Sequence, residues 1–298
     1  MKRMLYLLLA MVLLMMPLVG CDNAQPDDAT QEELPPQEEE TPPADQPAQS
    51  EEPEEPKQEE KQPMTIKIGS FNIGNGSYVS HDLSILANDI TSQGLDIVGL
   101  QEVDRLANRS KNLDTLAELS QLTGYEYYYF AKAINLAGDP ATYGQDGEYG
   151  IGILSKYPIL EGESYQLPSG GREQRMLARA TIDVAGKEIN FFTTHLSFED
   201  DKVREGQLSQ IDNILFDYSS CILTGDFNLR ATAELDVLLG MHPSYTDEDP
   251  IVTYSRDDWS THSIDNICFS SSFELEDCYA VENDHSDHYL LVSELTLP

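Results

Sequence analysis

Short apolar runs that end abruptly on polar residues constrain this fold most. Cys221-Ile222-Leu223-Thr224 stops at Gly225-Asp226-Phe227-Asn228, and Ser286-Asp287-His288 leads into Tyr289-Leu290-Leu291. Ile97-Val98-Gly99-Leu100 stops at Gln101-Glu102, and Phe191-Phe192 gives way to Thr193-Thr194-His195. A strand that is apolar at successive positions is covered on both faces, as in sheets flanked by other layers. Open α/β sheets hold ligands where their strands end. Asp226 can accept a proton, and Asn228, two residues on, both donates and accepts hydrogen bonds. That pairing suits activating a water and holding it in line.

The segments between these runs alternate in period. Thr65 to Asn72 predicts a first strand, and Leu83, Leu86, Ala87 and Ile90 recur at helical spacing until Gly94. A second helix is expected over 113–122, and strands over 125–130 and 150–154, with a turn at Tyr157-Pro158. The Tyr125, Tyr127, Tyr128 and Tyr129 cluster fits strand alternation. Met176 to Val184 and Glu188 to Thr194 read as a hairpin turned through Ala185-Gly186-Lys187. A helix over 201–215 precedes the Cys221 strand, a shorter helix is expected near 233–239, and strands over 264–269 and 289–294 close the chain. Helices between some strands and hairpins between others imply mixed sheets. The expected architecture is an α/β four-layered sandwich: two mixed β-sheets packed face to face, with helices on the outside.

The first quarter of the chain has a different character. Lys2 and Arg3 precede an apolar stretch from Leu5 to Met16, and Leu18-Val19-Gly20-Cys21 follows. This three-part pattern reads as a targeting segment and resembles a bacterial lipobox, which implies a lipoprotein signal peptide over 1–21, cleaved before Cys21 and acylated there; the alternatives are an ordinary secretory signal or a short membrane helix. Residues 22–63 are dominated by Glu, Gln, Pro, Asp, Ala and Thr, with no aromatic residue and Leu34 as the one large aliphatic. Such a segment cannot bury enough apolar surface to offset its ordering entropy, which predicts a disordered acidic linker ahead of a single domain over 64–298. The linker carries 15 acids against Lys57 and Lys61, so 64–298 holds about −24 of the net −35. That balance disfavours tight, sequence-independent nucleic-acid binding and leaves nucleic acid only as a substrate. Cys221, Cys268 and Cys278 are an odd set with no zinc spacing, and no disulfide framework is expected.

Seven stretches, in order, resemble the endonuclease/exonuclease/phosphatase family of deoxyribonucleases, abasic-site endonucleases, sphingomyelinases and inositol polyphosphate phosphatases. They are Ser70-Phe71-Asn72-Ile73, Gln101-Glu102-Val103, Gly150-Ile151-Gly152-Ile153-Leu154-Ser155, Thr194-His195-Leu196, Gly225-Asp226-Phe227-Asn228, Ile264-Asp265 and Ser286-Asp287-His288. The resemblance implies that Glu102 binds Mg²⁺ or Mn²⁺, with Asn72 and Asp287 close by. It implies Asp226 as general base, with Asn228 orienting the water or the phosphate. His195 and His288 would contact phosphoryl oxygens, and Asp265 would hold the tautomer of His288. Arg175 would contact the phosphate, with Arg172 as a competitor for that role. Glu148, beside a substrate-facing Tyr149, would brace His195. His81, His242 and His262 read as surface or loop residues, and His285 as a bystander.

The resulting expectation is a membrane-anchored, extracytoplasmic phosphoesterase acting through activated water on a phosphorylated metabolite, lipid headgroup or nucleic acid. No protein partner is implied. The alternatives are an inactive surface-binding lipoprotein of the same fold, or a two-lobed solute binder. An inactive protein would lack part of the polar set, and none of it is missing from the sequence.

Overall fold

A computed structural model of the protein describes residues 63–137, 146–255 and 261–297. The expected leader, Cys21 and the linker up to residue 62 lie outside the described residues.

The first sheet is built from β1 (Thr65–Asn72), β2 (Ile97–Arg105), β3 (Tyr127–Asn135), β4 (Glu148–Ser155), β13 (Glu274–Val281) and β14 (Leu290–Thr296), in the order β13-β14-β1-β2-β4-β3. The second contains β5 (Ile159–Gln166), β6 (Met176–Val184), β7 (Lys187–His195), β8 (Cys221–Asp226), β9 (Met241–Pro243) and β12 (Asp265–Ser270), in the order β5-β6-β7-β8-β12-β9. A two-stranded ribbon, β10 (Tyr254–Ser255) with β11 (Thr261–His262), stands outside both sheets. Each large sheet is mixed: β1 and β2 are parallel, as are β7 and β8, while the other pairings are antiparallel.

Side-chain alternation creates three apolar layers. Ile66, Ile68, Ile97 and Ile153 of the first sheet meet Ala180, Ile182, Phe191, Ile222 and Ile267 of the second. Phe71, Val98 and Leu100, on the opposite face of the first sheet, pack under α1 (Leu83–Ser92) and α2 (Thr115–Thr123). Phe192, Leu223 and Cys268 lie on the far face of the second sheet, under α3 (Asp201–Leu215). Strands covered on both faces need no polar side, so their sequences are almost continuously apolar. The sheets approach closely at Gly99, where an added Cβ would stand 2.1 Å from Thr224 Oγ1 and 2.5 Å from Thr193 Oγ1. Helix starts follow local chemistry: Asp82, Asp114 and Asp200 each accept hydrogen bonds from first-turn amides.

The four-layered sandwich is as expected; β5 and β13 are strands beyond those expected, and two local expectations change. β5 and β13 are edge strands with polar, exposed positions, and their sequences carry no apolar run. The helix expected near 233–239 is a 3-10 turn over Thr232–Val237. The second strand does not end at Glu102. It continues to Arg105 through a bulge between Leu100 and Val103, and Glu102 adopts φ 57 there.

Candidate active site

The topology gathers the expected residues on one rim. The carboxyl ends of parallel β1 and β2 bring Asn72 opposite Gln101, next to Glu102. Parallel β7 and β8 place His195 opposite Asp226, and antiparallel β12 begins with Asp265, also opposite Asp226. β14 runs antiparallel to β1, so Asp287 and His288, just before it, return to the same edge. Ser286 Oγ donates to the Asn72 carbonyl at 2.7 Å and closes that junction.

Asn72, 1% exposed, is the hub. Its Nδ2 lies 3.0 Å from Asp226 Oδ2, 3.2 Å from Glu102 Oε1 and within 3.4 Å of His288 Nε2. Its Oδ1 accepts from the Gly74 amide at 3.1 Å, which fixes the amide's orientation. His288 Nδ1 and Asp265 Oδ2 are 2.8 Å apart, and His288 Nε2 reaches to 3.6 Å from Asp226 Oδ2. Burial works against charge on His288, but Asp265, then Asp226, raise its pKa to about 10, so the ring is an imidazolium at neutral pH. Burial pushes Asp226 up to about 7, and Asp265 adds to this, while His288, Asn72 and the Asn228 amide pull it down.

His195 Nε2 lies 3.3 Å from the same Asp226 oxygen. Burial, with the nearby charges of Arg175 and His288, holds His195 well below the ordinary imidazole value, so this ring is neutral. Asn228, at φ 51, donates Nδ2 to the Leu196 carbonyl at 3.0 Å, and its backbone amide donates to Asp226 Oδ1 at 3.0 Å. Its Oδ1 has no protein partner among the described residues and is left to accept from a water. Burial, and then the nearby charge of Asp287, drive the Tyr78 phenol up to about 12.

Glu102, His195, Asp226, Asn228, Asp287 and His288 line a cleft of about 1410 Å³, together with Tyr149, Arg172 and Arg175. Arg175 is 4% exposed, pairs with Glu173 at 3.0 Å and leaves its Nε unpartnered. Arg172 is exposed at the same cleft. The expectation that Glu148 braces His195 is incorrect. The β2–β4 register sets Glu148 opposite Arg105, and its carboxylate is taken by Arg105 Nε at 2.6 Å and Lys132 at 3.3 Å. His285 pairs with Asp89 at 2.8 Å and stays apart from the site, as expected of a bystander. His262, expected as a surface or loop residue, is exposed but lines the cleft.

Several contributors carried no sequence signal. Thr253 Oγ1, fully buried, accepts from the Asp265 amide at 3.1 Å, and the Tyr245 hydroxyl donates to the Asp265 carbonyl. Tyr254 packs edge-on against the His288 ring with centroids 4.9 Å apart. All three act on the Asp265–His288 pair through backbone or ring contact, which no motif spacing reports.

Glu102 fits a hard divalent cation. Its carboxylate lies at the cleft, one oxygen accepts from Asn72, and among the described residues no Lys or Arg pairs with it. Asp287 adds a second carboxylate in the same cleft. One or two carboxylates with waters are what Mg²⁺ takes. Asp226, Asp265 and His288 also have ligand atoms within 4.8 Å of one another. That buried trio is already closed by the His288–Asp265 hydrogen bond, and an imidazolium has no lone pair for a metal.

The sequence model of the Endonuclease/Exonuclease/phosphatase family matches residues 69–288. An endonuclease/exonuclease/phosphatase from Beutenbergia cavernae has a similar structure, with TM-score 0.66 and 19% identity over 78% of this chain and 72% of that one. So does a mannosyl-6-phosphatase from Bacteroides thetaiotaomicron, with TM-score 0.58 and 20% identity over 78% of this chain and 100% of that one. The human Nocturnin catalytic domain with a bound sulfate gives TM-score 0.61 and 21% identity over 79% and 94%. With the motifs in order and the polar groups converging on one rim, the chain belongs to the endonuclease/exonuclease/phosphatase family, enzymes that hydrolyse phosphoester bonds with a divalent metal.

Proposed function

We propose that this protein is a lipid-anchored, extracytoplasmic phosphoesterase that uses Mg²⁺ or Mn²⁺ and acts on a small phosphorylated metabolite or lipid headgroup in preference to duplex DNA. The observation that carries the chemistry is the Asn72 amide, which donates to both Glu102 and Asp226, while the His288 imidazolium faces the same Asp226 oxygen. A divalent cation at Glu102, with Asp287 near, would supply Lewis acidity to a phosphoryl oxygen. Asp226 takes the proton of the attacking water, and its elevated pKa makes it a competent base near neutrality. Asn228 Oδ1 holds that water, neutral His195 donates through an N–H, and the His288 imidazolium offsets charge developing on the phosphate. Arg175, with an unpartnered Nε, offers a further donor to the phosphate.

The acidic domain supports a small substrate over a polyanion, because phosphate contacts along a duplex need many Lys and Arg residues. The likeness to a mannosyl-6-phosphatase accords with this preference. The signal pattern ending at Cys21 supports the anchor. The full chain, screened with Mg²⁺ against sugar phosphates, phospholipids, nucleotides and DNA, is expected to hydrolyse a small phosphoester. Asp226→Asn and His288→Ala are each expected to abolish that turnover while keeping the fold. Turnover unchanged by either substitution, or by excess EDTA, would overturn the assignment, and membrane association unaffected by Cys21→Ser would overturn the anchor.

A further inference from the structure

Arg109 lines the cleft and has no part in the chemistry described above. It sits in a 3-10 turn over Asn108–Ser110, just beyond β2. Its fork is fixed by Asp104: Nε donates to Oδ2 at 2.8 Å and Nη2 to Oδ1 at 2.7 Å. Asp104 has 0% exposure, so this carboxylate is sequestered from water to hold one guanidinium. The plane is backed by the Tyr149 ring, 5.3 Å from the guanidinium carbon. Two of the three guanidinium nitrogens are thereby committed. Nη1 has no protein partner among the described residues, and the side chain keeps 35% exposure at the cleft.

A buried ion pair is a poor way to stabilise a loop, since an apolar pair of similar volume does at least as well. It is an effective way to aim a rigid donor edge at a ligand, because little ordering entropy remains to be lost on binding. Position argues the same way. Arg109 follows β2, the strand that carries Glu102, and Tyr149 sits on its partner β4, whereas His195, Asp226 and Asp265 come from β7, β8 and β12 of the other sheet. The Arg109 wall thus adjoins Glu102 from the β2–β4 side, while the reactive trio approaches from the other. Arg175 lines the same cleft, and its Nε is buried without a partner. In a domain this acidic, the cleft is lined by four arginines, Arg109, Arg172, Arg175 and Arg230, and by no lysine among the described residues; arginine recognises planar or tetrahedral oxyanions through paired N–H groups.

We propose that Arg109, presented by Asp104 and Tyr149 and adjoined by Arg175, forms a subsite for a second anionic group carried by the substrate apart from the scissile phosphate. The proposal rests on the phosphoesterase reading of the site. It predicts discrimination between otherwise matched compounds that differ by one phosphate or one carboxylate.

Two probe pairs test it: fructose 1,6-bisphosphate against fructose 6-phosphate, and 3-phosphoglycerate against glycerol 3-phosphate. Each is measured on the full chain as an inhibitor of bis(p-nitrophenyl) phosphate hydrolysis with Mg²⁺, and by calorimetry on protein dialysed free of metal. In at least one pair the member with the extra anion is expected to bind about 10-fold tighter or more. Arg109→Gln should shrink that ratio to within about 2-fold, whatever the overall level of turnover. Because Arg109→Gln leaves Asp104 buried and unpaired, Asp104→Asn/Arg109→Gln carries the same comparison with a neutral pair, its fold checked by circular dichroism. A preference for one pair alone identifies the second group as phosphate or carboxylate. No preference in the wild type, or the same preference in both variants, overturns the subsite. Absence of ester hydrolysis would count against the phosphoesterase reading alone, because calorimetry reads the ratio without turnover.

Discussion

Asp265→Asn removes one charge from a closed, buried pair and tests the electrostatic core of the site. Asp265 is 1% exposed, His288 4%, and the two meet at 2.8 Å. Burial disfavours the imidazolium, yet His288 stands at about 10 against an ordinary 6.5, a difference worth about 5 kcal/mol. Asp265 is the largest positive contributor, with Asp226 next. Asn at 265 keeps the shape and loses the charge, so burial should return His288 to its ordinary range or below. The working ionisation state, Asp226 as carboxylate with His288 as imidazolium, spans the interval from about 7 to about 10 in the wild type. These limbs belong to the coupled pair rather than to either residue. The assay is kcat/KM against pH for a chromogenic phosphodiester with saturating Mg²⁺. The sign follows from the raised pKa: activity that needs the imidazolium is present at lower pH and is lost as pH rises through the folded value. In Asp265→Asn the alkaline limb should move down by about 2 pH units or more, with a loss of roughly 10²–10⁴-fold at the wild-type optimum. A divalent cation at Glu102 would shift the acid limb, so the alkaline limb is the discriminating one. A folded variant that keeps the wild-type alkaline limb, or stays within about 3-fold of wild-type activity, would refute the role given to Asp265.

Other perturbations follow from the same geometry. Gly99→Ala would drive a methyl group into the Thr193 and Thr224 hydroxyls between the sheets, and Gln101 Nε2 bonds Thr193 at 2.9 Å in the same layer. It should cost about 1–3 kcal/mol in urea unfolding, and an unchanged midpoint would contradict the close approach of the sheets. Glu102→Gln should weaken Mn²⁺ binding at least about 10-fold by calorimetry while leaving the thermal midpoint of metal-free protein near wild type, because the amide retains the shape. Mn²⁺ affinity equal to wild type would move the metal site elsewhere.

What was readable in the sequence was the strand end, and what was not was the register. β1, β2, β7 and β8 announced themselves because both faces are buried and polar residues collect where the apolar run stops. β5 and β13 did not, because an edge strand with a wet face tolerates sequences such as Glu161-Gly162-Glu163. The φ 57 bulge at Glu102 left no compositional trace, although it sets that carboxylate at the cleft. The partner of Glu148 depends on register, since the β2–β4 pairing is what sets Arg105 opposite it. The two histidines of the cleft, His195 and His288, make the point most sharply. In sequence, each is a His at the edge of an apolar run. In the fold, β12 begins opposite Asp226, so Asp265 arrives within 2.8 Å of His288, while the carboxylate nearest to His195 is the shared Asp226. One ring is therefore held as a cation and the other stays neutral, and strand pairing rather than residue type decides which of them can bring positive charge to a phosphate.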